Sequence, residues 1–222
     1  MKTELIKTLD GSHTLYRSDL DEHYHSIHGA IQESMHVFIN PGIIRNPKFF
    51  LRIFEVGFGT GLNVMLSIIE AEKLKKSLVI ESIEKYPLEM EIIRSLNYSD
   101  FFPSGYDRIF SLIHAQKWDT PEFITPDAQL MKISGDISTC QLSGQYDVIY
   151  FDAFSPDKQP ELWTVGICIK LFNALQNEGI LLTYCVKGQV RRQLEAAGFI
   201  VEKIPGPPGK KHVLKAIKKD TL

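Results

Sequence analysis

Residues 55–61 read EVGFGTG, and this turn lies between an apolar segment, 51–56, and a segment with apolar residues at helical spacing, 62–73. Its three glycines permit a tight strand-to-helix turn and let backbone amides approach a ligand closely. Dinucleotide sites normally have G-x-G-x-x-G, in which the third glycine comes one residue later than it does here, because residue 62 is Leu. The spacing therefore favours S-adenosylmethionine, whose amino-acid portion carries no pyrophosphate, over a dinucleotide.

The segments on either side of this turn extend the same pattern. From residue 50 onward, strand-like and helix-like apolar segments alternate, which is typical of βαβ units. We predict strands over 51–56, 78–83, 128–133, 147–151 and 180–185, helices over 62–73, from Pro87 onward, over 162–175 and over 189–197, and a closing hairpin of 200–204 with 212–217. The predicted fold is α/β, a class I S-adenosylmethionine-dependent methyltransferase with a Rossmann-like, mostly parallel sheet and a C-terminal antiparallel hairpin.

Composition limits the alternatives. With 222 residues and 44% hydrophobic content we expect one domain, with residues 1–48 as an N-terminal extension or lid and 49–222 as the Rossmann-like domain. Three widely spaced cysteines favour neither a disulfide framework nor a zinc cluster and indicate a reducing compartment. Without a secretion signal or a long apolar run, we expect no membrane partner and a cytoplasmic location.

The predicted cofactor site uses the ends of three strands. Glu84 ends the second strand, where its carboxylate can accept hydrogen bonds from both ribose hydroxyls. Asp136 follows the third strand and is placed to accept from the adenine amine, while Ile137 packs on the adenine face. The residues predicted to bind the cofactor are Glu55, Gly57, Gly59, Gly61, Asn63, Glu84, Lys85, Asp136, Ile137 and Asp152.

Each of these features also has a purely structural explanation. The glycines serve any tight turn, Glu84 can cap the following helix, and Asp136 can anchor a loop. The combination, in chain order and at the carboxyl edge of one sheet, favours a nucleotide-type site.

The predicted reacting face follows the fourth strand, in residues 146–156, YDVIYFDAFSP. Asp152 is expected to emerge beside the transferable methyl group, where a carboxylate can accept a hydrogen bond from an amine and align its lone pair. Phe154 is expected to pack against a flat base. The structural alternative is that Asp152 caps a helix and Phe154 is a core residue. We predict Asp152 as the catalytic residue.

Several segments carry a family resemblance. Residues 151–164, FDAFSPDKQPELWT, together with 55–63 and 82–88, closely resemble the MnmC-type tRNA methyltransferase domain, including its stand-alone MnmD-like form. Residues 10–16, 24–34, 191–199 and 209–212 resemble the same domain, so that the resemblance spans nearly the whole chain.

The resemblance implies methylation of the aminomethyl group on carbon 5 of the wobble uridine, giving 5-methylaminomethyl-2-thiouridine in tRNA, with Asp152 contacting the amine. The implied partner is the tRNA anticodon stem-loop. In bifunctional relatives a flavin-dependent oxidase domain first removes a carboxymethyl group. This sequence shows no second nucleotide motif, so we expect the FAD oxidase domain to be absent and no separate protein partner.

Candidate acceptor-binding residues lie at both ends of the chain. Residues 185–222 carry nine basic residues against Glu195, Glu202 and Asp220, which indicates a phosphate-tracking patch or, alternatively, a solvated helix and tail. The N-terminal segment is expected to cover the cofactor. We predict substrate contacts from Tyr24, Glu33, Phe154, Ser155, Pro156, Lys210 and Lys211.

Other functions remain open from the residues alone. The N-terminal histidines, among them His25 and His28, lack a third ligand, so we predict no metal site. An aminopropyltransferase of the spermidine synthase type shares the expected fold, and another small-amine methyltransferase is equally compatible with it. A non-catalytic tRNA-binding module is the alternative outside enzymes, and an NAD-dependent oxidoreductase fits least well because of Leu62.

Overall fold

A computed structural model describes residues 2–219. Met1 and residues 220–222 lie outside the described part, and with them Asp220 and the outermost residues of the two predicted domain ranges. The division into a lid, 1–48, and a Rossmann-like domain, 49–222, stays a prediction. No helix within residues 2–219 is long and apolar enough to cross a membrane.

An eight-stranded sheet forms the centre of the molecule, with strand order β10-β11-β9-β8-β4-β5-β7-β6. Its strands are β4 (Phe50–Val56), β5 (Ser77–Glu84), β6 (Glu122–Thr125), β7 (Ala128–Ser134), β8 (Tyr146–Phe151), β9 (Leu175–Thr183), β10 (Ile200–Pro205) and β11 (His212–Ile217). The inner pairs β4/β5, β4/β8, β5/β7 and β8/β9 are parallel, whereas β6, β10 and β11 pair antiparallel. The predicted mostly parallel sheet with a C-terminal antiparallel hairpin is confirmed.

Six α-helices lie within residues 2–219. They are α1 (Ala30–Ser34), α2 (Leu62–Lys73), α3 (Met90–Arg94), α4 (Tyr106–Ala115), α5 (Val165–Ala174) and α6 (Gly188–Ala196), with short 3-10 turns at Tyr98–Phe101 and Pro160–Trp163. Of these helices, α2 and α5 directly connect parallel strands of the sheet. Strand β8 is buried along its whole length, as expected for a strand covered on both faces. The parallel strands end at one edge of the sheet, and this edge carries the cleft described below.

The N-terminal residues form an arrangement that sequence analysis did not predict. Strands β1 (Thr3–Lys7), β2 (His13–Arg17) and β3 (Glu22–His23) make a separate antiparallel sheet. A π-helix, Met35–Ile44, follows α1 and packs against α2 and β9. Its Pro41 lacks an amide hydrogen, which is compatible with a wider hydrogen-bonding pattern than that of an α-helix.

Three predicted boundaries are wrong. The helix expected from Pro87 begins at Met90, because the Glu84 carboxylate accepts a hydrogen bond from the Tyr86 amide and residues 87–89 stay non-helical. The helix expected over 162–175 begins at Val165, where Thr164 Oγ1 caps the Ile167 amide at 3.4 Å. The strand expected over 180–185 is Leu175–Thr183, since it begins directly after α5 and pairs there with β8.

Candidate functional site

A cleft of about 420 Å³ opens at the carboxyl ends of β4, β5, β7 and β8. This is the edge at which open α/β sheets bind ligands, and the volume lies within the usual range for small-molecule sites. The cleft walls come from the turns after these four strands, from the N-terminal segment 22–27 and from Lys210 near the C-terminus. Of the predicted site residues, those that line it are Gly57, Gly59, Asn63, Glu84, Lys85, Asp136, Ile137, Asp152, Tyr24, Glu33, Phe154 and Lys210.

The glycine turn has a backbone that only glycine adopts easily. Gly57 has φ +93°, and a Cβ atom there would lie 2.7 Å from the Asp152 carbonyl oxygen. Gly59 has φ +50°, and its Cβ atom would lie 3.2 Å from the Tyr24 ring. The turn thus brings the end of β4 close to the end of β8. It leaves a narrow space for a ligand beside Tyr24.

Glu84 organises the rim next to this turn. One carboxylate oxygen accepts a hydrogen bond from the Gly59 amide at 3.0 Å, and the other accepts from the Tyr86 amide at 2.8 Å. Each oxygen retains a lone pair, and the carboxylate lines the cleft. Glu84 can therefore accept further hydrogen bonds from vicinal hydroxyl groups.

Asp136 is a second carboxylate on this side of the cleft. Lys85 Nζ lies 2.8 Å from its Oδ2, and the Ser138 amide donates to its Oδ1 at 2.8 Å. The hydrogen bond from Lys85, reinforced by Ser138, lowers the Asp136 pKa to about 2, so the carboxylate stays ionised at neutral pH. Ile137 next to it is buried and supplies an apolar surface.

Asp152 behaves differently. Asn63 Nδ2 donates to its Oδ2 at 2.8 Å. Burial, reinforced by the negative charge of Glu33, raises the Asp152 pKa to about 7, although Asn63 and Lys210 act in the opposite direction. A carboxyl group with this pKa can take up or release a proton near neutral pH.

Glu55 does not line the cleft. It is buried beneath it, where Oε2 accepts a hydrogen bond from the Ser82 hydroxyl. Burial raises the Glu55 pKa to about 8, with a smaller contribution from Asp152. Glu55 Oε1 and the Asn63 side-chain oxygen have no hydrogen-bond partner among residues 2–219. A direct cofactor contact for Glu55 stays a prediction that this burial does not favour.

The N-terminal segment closes the other side of the cleft. The Tyr24 and Phe154 rings meet edge to face at a centroid distance of 5.0 Å, and the Arg17 guanidinium lies 5.6 Å from the Phe154 ring. Glu22 accepts hydrogen bonds from the amide and the hydroxyl of Ser155, at 3.2 and 2.8 Å. Sequence analysis missed Arg17 and Glu22. They lie far from residues 154–155 in the chain, and no local sequence pattern shows that they contact these residues.

Lys210 reaches into the same part of the cleft. Its ammonium lies 2.5 Å from Glu33 Oε1 and 4.5 Å from the centroid of the Tyr184 ring. The Ser26 amide donates to Glu33 Oε2 at 2.6 Å, and the Tyr184 hydroxyl donates to the Ala153 carbonyl at 2.9 Å. Tyr184 is a further cleft residue that sequence analysis missed.

Four other predicted site residues lie outside the cleft lining: Gly61, Ser155, Pro156 and Lys211. Gly61 precedes α2 with φ +72° and packs against His114. Lys211 is exposed. Within the basic C-terminal segment, Lys187 pairs with Asp157 and Arg191 with Glu195, so part of its charge is neutralised locally.

Among the N-terminal histidines, His25 is held by contacts within the fold. His25 is buried, and its backbone amide donates to Thr14 Oγ1 at 3.0 Å. Burial lowers the His25 pKa to about 4, which keeps the ring neutral at physiological pH. Among the described residues, no group of three or more His, Cys, Asp and Glu side chains is arranged to hold a metal ion.

Comparisons with known proteins agree with this geometry. Residues 111–219 match a family described as S-adenosyl-L-methionine-dependent methyltransferase. The chain is 30% identical to the Leptospira interrogans tRNA 5-methylaminomethyl-2-thiouridine biosynthesis bifunctional protein MnmC over 87% of this chain and 32% of the relative. The Ralstonia nicotianae protein of the same name is 31% identical over 87% of this chain and 31% of its own length. The chain therefore spans about a third of the length of these relatives.

Solved structures show the same relationship. The crystal structure of MNMC2 from Aquifex aeolicus superposes with a TM-score of 0.83 at 28% identity, covering 100% of this chain and 72% of that chain. Spermidine synthase from Thermotoga maritima, at 13% identity and TM-score 0.55, covers 98% of this chain and 72% of that one. The second likeness shows the fold alone.

Proposed function

We propose that this chain is an S-adenosyl-L-methionine-dependent methyltransferase that methylates the aminomethyl group on carbon 5 of the wobble uridine, or 2-thiouridine, in tRNA. The product would be 5-methylaminomethyl-2-thiouridine. The observation that carries the proposal is the position of Asp152 directly after β8, where its backbone carbonyl lies against Gly57 and the residue lines the cleft with a carboxyl group whose pKa is about 7. The names of the MnmC relatives supply the acceptor.

The residues around the cleft suit S-adenosyl-L-methionine. The turn leaves no room for a Cβ atom at Gly57, Glu84 presents a carboxylate to hydroxyl groups, and Asp136 with Ile137 offers an ionised acceptor beside an apolar surface. The buried side-chain oxygen of Asn63 lacks a donor among residues 2–219, as expected of a group that awaits a ligand. When bound, the cofactor supplies an electrophilic methyl group on a sulfonium.

The contribution of Asp152 is positioning and proton acceptance. An aliphatic amine attacks only as the neutral base, so the acceptor must lose a proton before or during transfer. A carboxylate held by Asn63 at 2.8 Å can accept a hydrogen bond from the amine and direct its lone pair. Because the Asp152 pKa is about 7, the carboxylate is also a better proton acceptor than an ordinary aspartate.

The acceptor side suits a planar base. Phe154 contacts the Tyr24 ring, lies 5.6 Å from the Arg17 guanidinium and lines the same cleft as Asp152. Aromatic rings stack on unstacked bases, which is the common way in which proteins bind single-stranded loops of RNA. We propose that the anticodon loop enters from this side, that exposed Lys211 contacts its phosphates, and that the protein acts in the cytoplasm.

The deciding experiment measures transfer of labelled methyl from S-adenosyl-L-methionine to three tRNA preparations, whose wobble uridines carry an aminomethyl group, a carboxymethylaminomethyl group or no substituent at carbon 5. We expect transfer to the aminomethyl tRNA and identification of the methylated nucleoside by mass spectrometry. Putrescine with decarboxylated S-adenosylmethionine is the matched assay for aminopropyl transfer.

Transfer to putrescine and none to tRNA would replace the proposal with an aminopropyltransferase. Cofactor binding without transfer to any of these acceptors would retain the fold and reject the acceptor.

A further inference from the structure

We propose that Glu33, Asp152 and the face of Tyr184 form a subsite for the ammonium group of the acceptor, and that the Lys210 ammonium occupies this subsite when no acceptor is bound. The inference deepens the proposed function, on which it rests for the identity of the physiological amine. The subsite itself is argued from the contacts of Lys210.

The first argument is the composition of this subsite, a corner of the cleft formed by Glu33 and Tyr184 around the Lys210 ammonium. Glu33 Oε1 lies 2.5 Å from Lys210 Nζ, and the Tyr184 ring centroid lies 4.5 Å from the same nitrogen. Proteins bind ammonium ions in such surroundings, with a carboxylate on one side and an aromatic face on the other. All three residues line the cleft that holds Asp152.

The second argument is that this corner is preformed. The Ser26 amide holds Glu33 Oε2 at 2.6 Å, and the Tyr184 hydroxyl is held by the Ala153 carbonyl. The Glu33 side chain is only 9% exposed. A carboxylate so far removed from water needs a cation beside it, and leaving it unpaired would be costly.

The third argument is the electrostatic interaction between this subsite and the Asp152 carboxyl group. The negative charge of Glu33 raises the Asp152 pKa, whereas the positive charge of Lys210 lowers it. A cation in the corner therefore interacts with both carboxyl groups. An amine bound as ammonium beside Glu33 would have Asp152 within electrostatic reach as the next proton acceptor.

The fourth argument is that Lys210 can leave without unfolding its loop. The turn at 206–211 is closed by backbone bonds, from the Gly206 amide to the Lys211 carbonyl at 3.1 Å and from the Lys210 amide to the Pro207 carbonyl at 2.9 Å. Gly209 packs against the His28 ring. The Lys210 side chain is 33% exposed and flexible, so its ammonium can move to solvent or to a tRNA phosphate while the backbone stays in place.

The subsite selects by charge. A primary amine can replace Lys210 beside Glu33, because it brings the same cationic group with several donors. An anionic substituent, such as the carboxylate of a carboxymethylaminomethyl group, would instead approach Glu33 and Asp152, whose charges oppose it. The corner thus favours the aminomethyl over the carboxymethylaminomethyl form.

The test is a titration that requires neither tRNA nor cofactor. Methylammonium chloride labelled with carbon-13 is added to the protein at pH 7 and constant ionic strength, and binding is followed by NMR. We expect Lys210→Met to bind methylammonium about tenfold more tightly than wild type, because the internal competitor is gone. Glu33→Gln added to Lys210→Met should abolish this gain.

Lys203→Met is the matched control, since Lys203 is an exposed lysine of the same hairpin and should leave binding unchanged. Thermal unfolding establishes that each variant is folded, and Lys210→Gln replaces Lys210→Met if the latter is not. Equal affinities for wild type and the folded Lys210 variant would overturn the subsite. Tighter binding in a protein that fails to methylate tRNA would support the subsite and reject the proposed acceptor instead.

Discussion

The two halves of the cleft differ in how the chain builds them. The half proposed to bind the cofactor, here called the cofactor half, comes from the turns after β4, β5 and β7, and its key contact, from the Gly59 amide to Glu84, joins neighbouring parallel strands. The half proposed to bind the acceptor, here called the acceptor half, joins segments far apart in the chain, with Glu22 on Ser155 and Glu33 on Lys210. The first half is therefore encoded by local sequence motifs, whereas the second depends on contacts between residues that are far apart in the chain.

The halves also differ in electrostatics. Asp136 in the cofactor half has a pKa lowered to about 2 by Lys85, whereas Asp152 in the acceptor half has a pKa raised to about 7 by burial. The same type of side chain is thus ionised at neutral pH where we propose cofactor binding, and able to exchange a proton near pH 7 where we propose proton transfer. Two substitutions test this contrast through activity and cofactor affinity, and two further ones test the folding of the turn and of the buried carboxyl group beneath it.

Asp152→Asn should reduce kcat for methyl transfer by about 10²- to 10⁴-fold, the usual contribution of a positioned proton acceptor. The amide keeps the size of the side chain but cannot take the proton. Cofactor affinity, measured by calorimetry, should change much less than kcat, because Glu84 and Asp136 are untouched. Full activity in the variant would remove Asp152 from the chemistry.

Glu84→Gln should weaken cofactor binding by about 10- to 100-fold, because a charged acceptor for hydroxyl groups is worth roughly 1.5–3 kcal/mol. The expected change is in cofactor Kd and KM, with kcat largely retained. Glu91→Gln is the matched control, since Glu91 is an exposed glutamate in the helix that follows. Equal cofactor affinity in both variants would contradict a cofactor contact at Glu84.

Gly57→Ala should lower the free energy of unfolding by about 1–3 kcal/mol, because φ is +93° and the new methyl group would lie 2.7 Å from the Asp152 carbonyl oxygen. Denaturant titration measures this loss. Gly144→Ala separates the two causes, since Gly144 also has positive φ but has nothing near its Cβ position. A larger loss at Gly57 than at Gly144 is expected, and the reverse order would place the strain elsewhere.

Glu55→Gln should flatten the dependence of stability on pH. The Glu55 pKa rises from 4.5 to about 8 on folding, so the folded state binds more protons between these values and loses stability as pH rises through about 8. The variant lacks this titration, so it should gain on wild type by at most about 1.4 kcal/mol per pH unit between pH 5 and 8. Denaturant titrations at pH 5 and 8 measure the difference, and parallel curves for both proteins would show that Glu55 is already ionised.

The success of sequence reasoning follows the same division. Residues 55–61 and Glu84 could be recognised because a strand–turn–helix with glycines constrains its own geometry within a few residues. Helix α2 was predicted over its exact bounds, since its apolar residues recur at helical spacing. Arg17, Glu22 and Tyr184 were missed because nothing beside them in the chain shows that they face the cleft.

The burial of Glu55 illustrates the limit more sharply. Its place before the glycine turn made it a plausible cofactor ligand, but strand alternation and pairing with β5 direct it toward Ser82 beneath the cleft. The helix predicted from Pro87 begins only at Met90, because the Glu84 carboxylate holds the Tyr86 amide outside a helix.

By itself, the sequence determined the α/β order, the parallel sheet with its antiparallel end, the turn at residues 55–61 and the carboxylates that follow three strands. These features depend on periodicity and on backbone geometry over short distances. Only the tertiary structure decided which carboxyl group stays ionised, that Glu33 pairs with Lys210, and that Arg17 and Tyr24 lie against Phe154. The physical reason is that burial and charge proximity depend on residues brought together from distant parts of the chain.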